Sequence, residues 1–240
     1  MVILADGPAL RTRVAQACRL LARRRLVEGI LGHVSARVSA DEILIRCRGP
    51  LEQGLLHTTA EDICRITLAG KPVDLPDGYV PPKELPLHTE LLRARPDLGA
   101  VVHAHPRSAL LCGLADLEPR AAFGAFDIPA ARMALAGIPV YPRSILISRP
   151  ELAQEMVDAM VGSDVCLLKG HGLAVGGESV EQATVRTLTL DTLYQITLEL
   201  ARLGVQPREI DGQDLAELPD LGSSFNDGLV WNALVAELPD

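Results

Sequence analysis

The sequence predicts an α/β layered domain, and three observations support this. Short β-like runs alternate with amphipathic helical segments along most of the 240 residues, a pattern typical of helices packed on a sheet. Hydrophobic residues make up 48% of the chain and charged residues 22%, which is too apolar for a disordered chain. No internal repeat divides the sequence, so one compact domain is expected. Periodicity leaves the order of the strands open.

The N-terminal part is predicted to contain a helix, a hairpin and a second helix. Apolar residues recur at three- and four-residue steps over residues 8–26, as on an amphipathic helix. Residues 33–38 alternate polar and apolar side chains, and residues 42–45 are a second β-like run, so a hairpin is expected. Residues 58–66 are predicted to be a capped helix, because Thr59 is followed by two acidic residues.

The remaining elements follow a proline-rich segment at residues 71–86, which contains five prolines and is predicted to be an ordered loop. The helices predicted after it cover residues 87–95, 107–114, 130–136, 151–161 and 179–203, and the strands cover residues 100–103, 138–141 and 165–168. We expect residues 1–204 to form the catalytic domain and residues 205–240 a C-terminal tail. Such a tail is either a lid over a site, a contact with a neighbouring subunit, or a simple packed terminus.

The charge balance argues against a nucleic-acid binder. The net charge is −8, and the 23 Lys and Arg residues are scattered and outnumbered by 31 Asp and Glu residues, whereas phosphate neutralisation needs a basic face. No apolar run approaches the roughly 18 residues of a membrane span, and the N-terminus lacks the pattern of a secretory signal. The five cysteines show no CxxC spacing, which indicates reduced, buried thiols. A cytoplasmic protein is therefore expected.

Three histidines carry the strongest chemical signal. His103 and His105 are two residues apart at the end of a predicted strand, so their side chains share one face and can reach one ion. This pair alone is equally typical of two satisfied histidines at a strand end. His171 directly follows another predicted strand and lies between two glycines that permit a sharp turn. A three-histidine site leaves a coordination position open, and imidazole accepts Zn²⁺, Mn²⁺ or Fe²⁺.

Four separated motifs give the sequence a specific resemblance. They are GHVSAR at residues 32–37, PKE at 82–84 followed by His88, RPDLGAVVHAH at 95–105 and LLKGHG at 167–172. In this order and spacing, over about residues 10–205, the chain resembles the class II aldolase and adducin head-domain superfamily, which includes L-fuculose-phosphate aldolase. The resemblance implies a three-layer α/β/α fold with a mostly antiparallel central sheet, and a C4 homotetramer.

The resemblance also implies roles for individual residues. His103, His105 and His171 match the metal histidines of the family, which implies one divalent ion per subunit, and Glu84 matches its catalytic acid/base carboxylate. A physical argument supports Glu84 separately: it follows a rigid diproline in a loop that leads into a helix, where a carboxylate could be desolvated beside a cation. The alternative for Glu84 is a solvated loop carboxylate.

The sequence departs from the sugar-phosphate aldolases of the family at their phosphate-binding positions. Compact amide and hydroxyl donors are replaced here by His33, by the segment at residues 46–50, and by Pro82 and Lys83. Arginine presents a planar fork suited to a carboxylate, so Arg46 and Arg48, together with Lys83 and His33, are predicted to form a cationic pocket for a substrate with more than one carboxylate. The alternative for both arginines is a solvated position on a strand.

The GHVSAR motif resembles a branch of the superfamily that decarboxylates hydroxylated aromatic acids such as 3,4-dihydroxyphthalate. Ser35 in this motif is a candidate on the substrate side, although support of the fold through backbone hydrogen bonds is favoured for it. Arg37 is expected to form an internal ion pair, and His57 and His88 receive no assigned role.

The branch implies a small carboxylate substrate and no nucleic-acid or membrane partner. Two alternatives remain at this point: an aldolase for a non-phosphorylated or 2-keto-acid substrate, and a non-catalytic interaction domain like the adducin head. A non-haem iron oxygenase is a minor third, because three histidines also hold Fe²⁺.

Overall fold

A seven-stranded sheet forms the centre of the molecule in the computed structural model, which describes residues 7–222, 224 and 226–239. The strands are β1 (His33–Arg37), β2 (Glu42–Arg46), β3 (Ile63–Thr67), β4 (Ala100–Ala104), β5 (Val140–Tyr141), β6 (Val165–Leu168) and β7 (Gly172–Gly177). Their spatial order is β3-β2-β1-β4-β7-β6-β5. Every neighbouring pair is antiparallel except β5 and β6, so the predicted mostly antiparallel sheet is confirmed.

Helices cover both faces of the sheet, which confirms the three-layer fold. They are α1 (Pro8–Arg23), α2 (Leu85–Ala94), α3 (Arg107–Leu114), α4 (Ile128–Ala136), α5 (Pro150–Met160), α6 (Val180–Arg202), α7 (Gly212–Glu217) and α8 (Asp227–Val235). One buried apolar cluster joins the sheet to α1, α3, α4, α6 and α8. A second joins the opposite face to α2 and α5.

The pleat of β1 and β4 places apolar core residues on one face of the sheet and histidines on the other. Val34 on β1 and Val102 on β4 lie in the core beneath α1 and α6. Their neighbours His33 and His103 point to the face covered by α2 and lie directly opposite each other across the two strands, because successive side chains of a strand alternate between faces. The histidines of the GHVSAR and HAH motifs therefore meet on one face of the sheet.

Two local predictions are wrong. Residues 58–66 form a short 3-10 turn (Ala60–Asp62) followed by strand β3, not a helix. The capping box between Thr59 and Asp62 is present, but the strand register that pairs Ile63 with Arg46 prevails over the local helix signal. Strand β7 was missed because its glycines read as a turn. A Cβ at Gly172 would lie 2.2 Å from the carbonyl oxygen of Ala104, so glycine is needed for the sheet to close there.

The cysteine prediction is confirmed, since all five thiols are free and buried. In the described part of the chain no helix has the length and apolar character to cross a membrane.

The C-terminal tail packs on its own chain. Trp231 and Leu234 of α8 are buried in the cluster beneath α1 and α6, and Arg24 binds Glu237 at 2.7 Å. This is the face opposite to His33 and His103, so the described tail does not cover these histidines within its own subunit. Contact with a neighbouring subunit stays a prediction, and residues 1–6, 223, 225 and 240 of the two predicted segments lie outside the described residues.

Candidate metal centre

Four side chains from three separate parts of the chain converge at one end of the sheet. Glu84 immediately precedes α2, His103 lies on β4, His105 follows it, and His171 lies in the turn between β6 and β7. One ligand atom from each of the four lies within 4.8 Å of the other three. The structure thus brings together the three predicted metal histidines and the predicted catalytic carboxylate.

Helix α2 begins earlier than the sequence predicts, and this places Glu84. The helix starts at Leu85 with Pro86 in its first turn, where the missing N–H of proline costs no helical hydrogen bond. Glu84 is 4% exposed and accepts a hydrogen bond of 3.0 Å from the backbone N–H of Ile147 at Oε1. The carboxylate is therefore held in the cluster and is not a solvated loop residue.

The hydrogen bonds of His103 fix the orientation of its ring. Its Nδ1 lies 2.9 Å from the carbonyl oxygen of Leu173, and a carbonyl only accepts, so Nδ1 carries the proton of the neutral ring. The bare Nε2 then faces the cluster, 3.2 Å from Oε2 of Glu84 and 2.8 Å from Nε2 of His105. His171 Nε2 lies 3.5 Å from Oε1 of Glu84.

Burial favours the neutral form of His105 in this cluster. Desolvation is the largest cause that lowers the pKa of His105 to about 3, and the neighbouring histidines lower it further. For Glu84, burial alone would raise the pKa, but hydrogen bonds and charge interactions with His103 and His171 outweigh burial and lower it well below its usual range. The cluster therefore combines an ionised carboxylate, Glu84, with a histidine, His105, that resists protonation.

This donor set fits a divalent cation. A hydrogen bond from His103 to Glu84 requires a proton on Nε2 as well as on Nδ1, and hence a charged ring at a position that is 0% exposed. A divalent cation among the same atoms satisfies the carboxylate and the lone pairs together. In addition, Nδ1 of His171 is buried without a hydrogen-bond partner in the described residues, an atom that a bound ion or water would satisfy.

Three buried polar side chains, Ser35, His88 and His33, form a line of contacts next to the cluster. The ring of His33 stacks on that of His103 with centroids 5.2 Å apart. His88 Nε2 lies 3.4 Å from Nδ1 of His33, and His88 Nδ1 lies 2.8 Å from Oγ of Ser35. All three side chains are at most 5% exposed, and desolvation is the largest cause of the lowered pKa of His33 and of the pKa of about 3 for His88.

Comparison with known proteins places the chain in a family. Residues 12–198 match the family described as Class II Aldolase and Adducin N-terminal domain. The chain belongs to this family. Its fold agrees with solved members: an aldolase II superfamily protein from Pseudomonas syringae superposes with a TM-score of 0.79 at 23% identity, covering 96% of this chain and 92% of the other.

Proteins similar to this chain include decarboxylases. The chain is 48% identical over 231 residues to a 3,4-dihydroxyphthalate decarboxylase from Arthrobacter keyseri, covering 95% of this chain and 93% of the relative. It is 47% identical to the enzyme of the same name from a Terrabacter strain, covering 96% and 97%. An L-fuculose phosphate aldolase from Methanococcus maripaludis is 30% identical over 194 residues, covering 77% of this chain and 94% of the relative. The findings support an enzyme of the carboxy-lyase class, in place of a non-catalytic interaction domain.

The residues predicted to form a cationic pocket differ in burial and in their bonding partners. Arg46 is 5% exposed; it bonds Oγ1 of Thr58 at 3.0 Å and pairs with Glu52. Arg48 pairs its backbone with Val80 in both directions, and its guanidinium donates to the carbonyl of Ile30 at an exposed position, 3.2 Å away. Lys83 is exposed next to Glu84. Substrate binding by these residues stays a prediction, but the guanidinium of Arg46 is already engaged.

The bonding partners predicted for two residues of the GHVSAR motif are wrong. Arg37 was expected in an ion pair, but its guanidinium donates to the backbone carbonyls of Leu92, Arg95 and Leu98. Ser35 was expected to bond the backbone, but its hydroxyl bonds His88. His88 is thus the residue of this region that sequence reasoning left unassigned, although its position one helical turn beyond Glu84 is a usable signal. The hydrogen bond from Ile147 to Glu84 has no sequence signal, because a backbone N–H is present at almost every residue.

Proposed function

We propose that this carboxy-lyase is a metal-dependent decarboxylase of a hydroxylated aromatic dicarboxylate of the 3,4-dihydroxyphthalate kind. The observation that carries the proposal is the cluster of Glu84, His103, His105 and His171 in a chain 48% identical to a decarboxylase with that substrate in its name. Catalysis by a divalent ion on this scaffold requires histidine ligands and an open position for the substrate, and the donor set supports both.

The residues that would hold the ion are the three histidines, with Glu84 beside them. When bound, a divalent ion supplies Lewis-acid stabilisation of the negative charge that develops as the carbon–carbon bond opens. His103 would present Nε2 because its Nδ1 proton is committed to Leu173. Zn²⁺, Mn²⁺ and Fe²⁺ all suit imidazole nitrogen, so the identity of the ion is a matter for elemental analysis.

Arg48 and Lys83 are proposed to orient the carboxylate that the substrate retains. In β2, which pairs with β1 so that Ser35 lies opposite Ile45, the residues after Arg46 run toward the end of β1 that carries His33. The backbone pairing of Arg48 with Val80 ties this segment to the loop that ends at Lys83 and Glu84. Arg46 is proposed to stabilise this loop region through its contacts with Glu52 and Thr58.

Glu84 is proposed to move the proton of the reaction. The bond between the ring and the leaving carboxylate breaks, its electron pair stays on the ring carbon, and carbon dioxide departs. One proton must then reach that carbon. Oε2 of Glu84 is proposed to take this proton from a ring hydroxyl or water and deliver it to the carbon, a role that requires a carboxylate held within hydrogen-bond reach of the reacting atoms.

A paired assay on one metal-reconstituted preparation tests the proposed function. Carbon dioxide release from 3,4-dihydroxyphthalate and related hydroxy-dicarboxylates is measured beside aldol cleavage of sugar phosphates and 2-keto-acid aldols. We expect carbon dioxide release that a chelator abolishes and an added divalent ion restores. Aldol cleavage without carbon dioxide release would instead favour an aldolase with a changed substrate, and chelator-resistant release would contradict the metal dependence.

A cytoplasmic homotetramer is proposed as the working form of the enzyme. The assembly is supported by the resemblance to the superfamily, and the location by five reduced, buried cysteines. Sedimentation equilibrium tests the assembly: a mass four times the 25.7 kDa of one chain is expected, and a monomer would contradict it.

A further inference from the structure

The line formed by Ser35, His88 and His33 connects the buried interior to the candidate metal centre. The two links are 2.8 Å long, from Oγ of Ser35 to Nδ1 of His88, and 3.4 Å long, from Nε2 of His88 to Nδ1 of His33. Ser35 and His88 are 0% exposed and His33 is 5% exposed. Three polar side chains in such surroundings must satisfy one another, because bulk water does not reach the first two.

The hydroxyl of Ser35 determines which atom donates and which accepts in each hydrogen bond of this line. A buried O–H group needs an acceptor, and His88 is the acceptor that the described residues offer to Ser35. If Ser35 donates to Nδ1 of His88, the proton of the neutral His88 ring lies on Nε2 and points to His33. Nδ1 of His33 then accepts, and the proton of that ring lies on Nε2.

The remaining nitrogen of His33, Nε2, is accessible to solvent. Nε2 of His33 has no protein partner within the described residues, and it is not among the buried side-chain nitrogens that lack one. Solvent, and hence a substrate, therefore reaches it. The stacking of His33 on His103 places the ring of His33 next to the candidate metal centre.

We propose that Ser35 and His88 are positioning residues, which fix His33 as a neutral Nε2–H donor to an oxygen of the bound carboxylate substrate. The line thus determines which nitrogen of His33 carries the proton. A His33 ring with the opposite tautomer would present a lone pair to the substrate carboxylate and would repel it. This inference rests on the proposed carboxylate substrate, but its structural part, the tautomer of His33, does not depend on which reaction the enzyme catalyses.

Nitrogen NMR of histidine-labelled protein tests the tautomer directly. Long-range proton–nitrogen spectra distinguish Nδ1–H from Nε2–H rings, and comparison with H33N and H88N assigns the two signals. In Zn²⁺-loaded protein we expect both His33 and His88 to carry the proton on Nε2. A His33 ring protonated on Nδ1 would overturn the proposal, whatever substrate the enzyme uses.

Three variants connect the tautomer to turnover. H88L removes the donor to His33, and we expect kcat/KM to fall by about 10- to 100-fold, as for a lost hydrogen bond to a charged group. H88Q retains an amide N–H toward His33, so it should recover most of this loss. S35A should shift the His33 signal toward a mixture of tautomers and reduce kcat/KM by about 10-fold.

A matched control separates positioning from stability. Ser108 is also buried and hydrogen-bonded, but to Asp191 on α6, so S108A should reduce stability without changing the His33 signal. Metal content is measured for every variant. Equal turnover of H88L and wild type, at equal metal content, would contradict the positioning role. The expected tautomer in a wild-type enzyme that does not release carbon dioxide would instead contradict the proposed substrate while the tautomer assignment stands.

Discussion

The two faces of strands β1 and β4 carry alternate residues of the same strands and serve different purposes. On the face beneath α1 and α6, Val34 and Val102 pack into an aliphatic core. On the face beneath α2, His33 and His103 lie opposite each other among polar side chains that bond in defined directions. The aliphatic face stabilises the strands by burial, which needs no particular orientation, whereas the polar face requires a fixed one.

This difference shows how the fold supports a reactive site. The aliphatic packing holds the strand backbones in place. The backbone in turn determines the Cα positions of His33 and His103. Carbonyl and amide groups such as those of Leu173 and Ile147 complete the orientation of the side chains. His33 and His103 lie on strands, which hold side chains more precisely than loops do.

The largest expected effect comes from comparing the adjacent residues Val102 and His103. H103A removes a candidate ligand, so we expect loss of the bound divalent ion and of nearly all turnover. V102A removes apolar volume from the other face, so we expect a loss of about 2 kcal/mol in the free energy of unfolding with the metal retained. Elemental analysis and urea denaturation check the two outcomes, and H57A serves as a histidine control at an exposed position. Metal retention in H103A would contradict the proposed ligand set.

Glu84 tests whether the polar face performs chemistry beyond holding an ion. E84Q keeps the shape of the side chain and an oxygen for the N–H of Ile147, so metal content should be largely preserved. Proton transfer by the carboxylate is lost, and we expect turnover to fall by at least about 100-fold. E90Q, on the same helix and paired with Arg93, is the matched control. A fully active E84Q would rule out the proposed proton transfer.

Arg46, Arg48 and Lys83 test which cationic residues stabilise the fold and which bind the substrate. If Arg48 and Lys83 bind the substrate as proposed, R48A and K83A should each raise KM by about 10-fold or more with smaller changes in stability, because each removes a charged donor. R46A should mainly lower the free energy of unfolding, by about 3 kcal/mol, because it leaves Glu52 without its buried partner. Steady-state kinetics and denaturation separate the two classes. A KM effect of R46A equal to that of R48A would show that Arg46 also contacts the substrate.

The convergence of the three candidate metal histidines could be predicted from the sequence because their signals are local and periodic. Two histidines at i and i+2 on a strand share a face wherever the strand lies, and glycines beside His171 mark a turn. The hairpin and α3 were equally local and are confirmed. Strand β7 and the pairing of β3 with β2 could not be found in this way, since they depend on partners distant in sequence. The link from His33 to His88 likewise crosses 55 residues, and only the folded sheet brings the two rings together.

The polar face should also affect stability at low pH, where a change of one pH unit should have a smaller effect than V102A or R46A. Burial is the main cause that holds the pKa of His88 at about 3 in the folded protein, with a further decrease from His103 and an opposing increase from Glu84. The unfolded chain has an ordinary histidine pKa of about 6.5.

Between these two values the unfolded state binds a proton that the folded state does not, so stability is complete above about pH 6.5 and is lost as the pH falls. The loss should approach about 1.4 kcal/mol per pH unit for His88 alone. Urea denaturation of chelator-treated protein at a series of pH values measures this slope. H88Q cannot take up the proton, so its slope should be smaller by that amount, whereas H57Q should match wild type. An unchanged slope in H88Q would mean that His88 is already protonated in the folded protein, in conflict with the burial of its ring between Ser35 and His33.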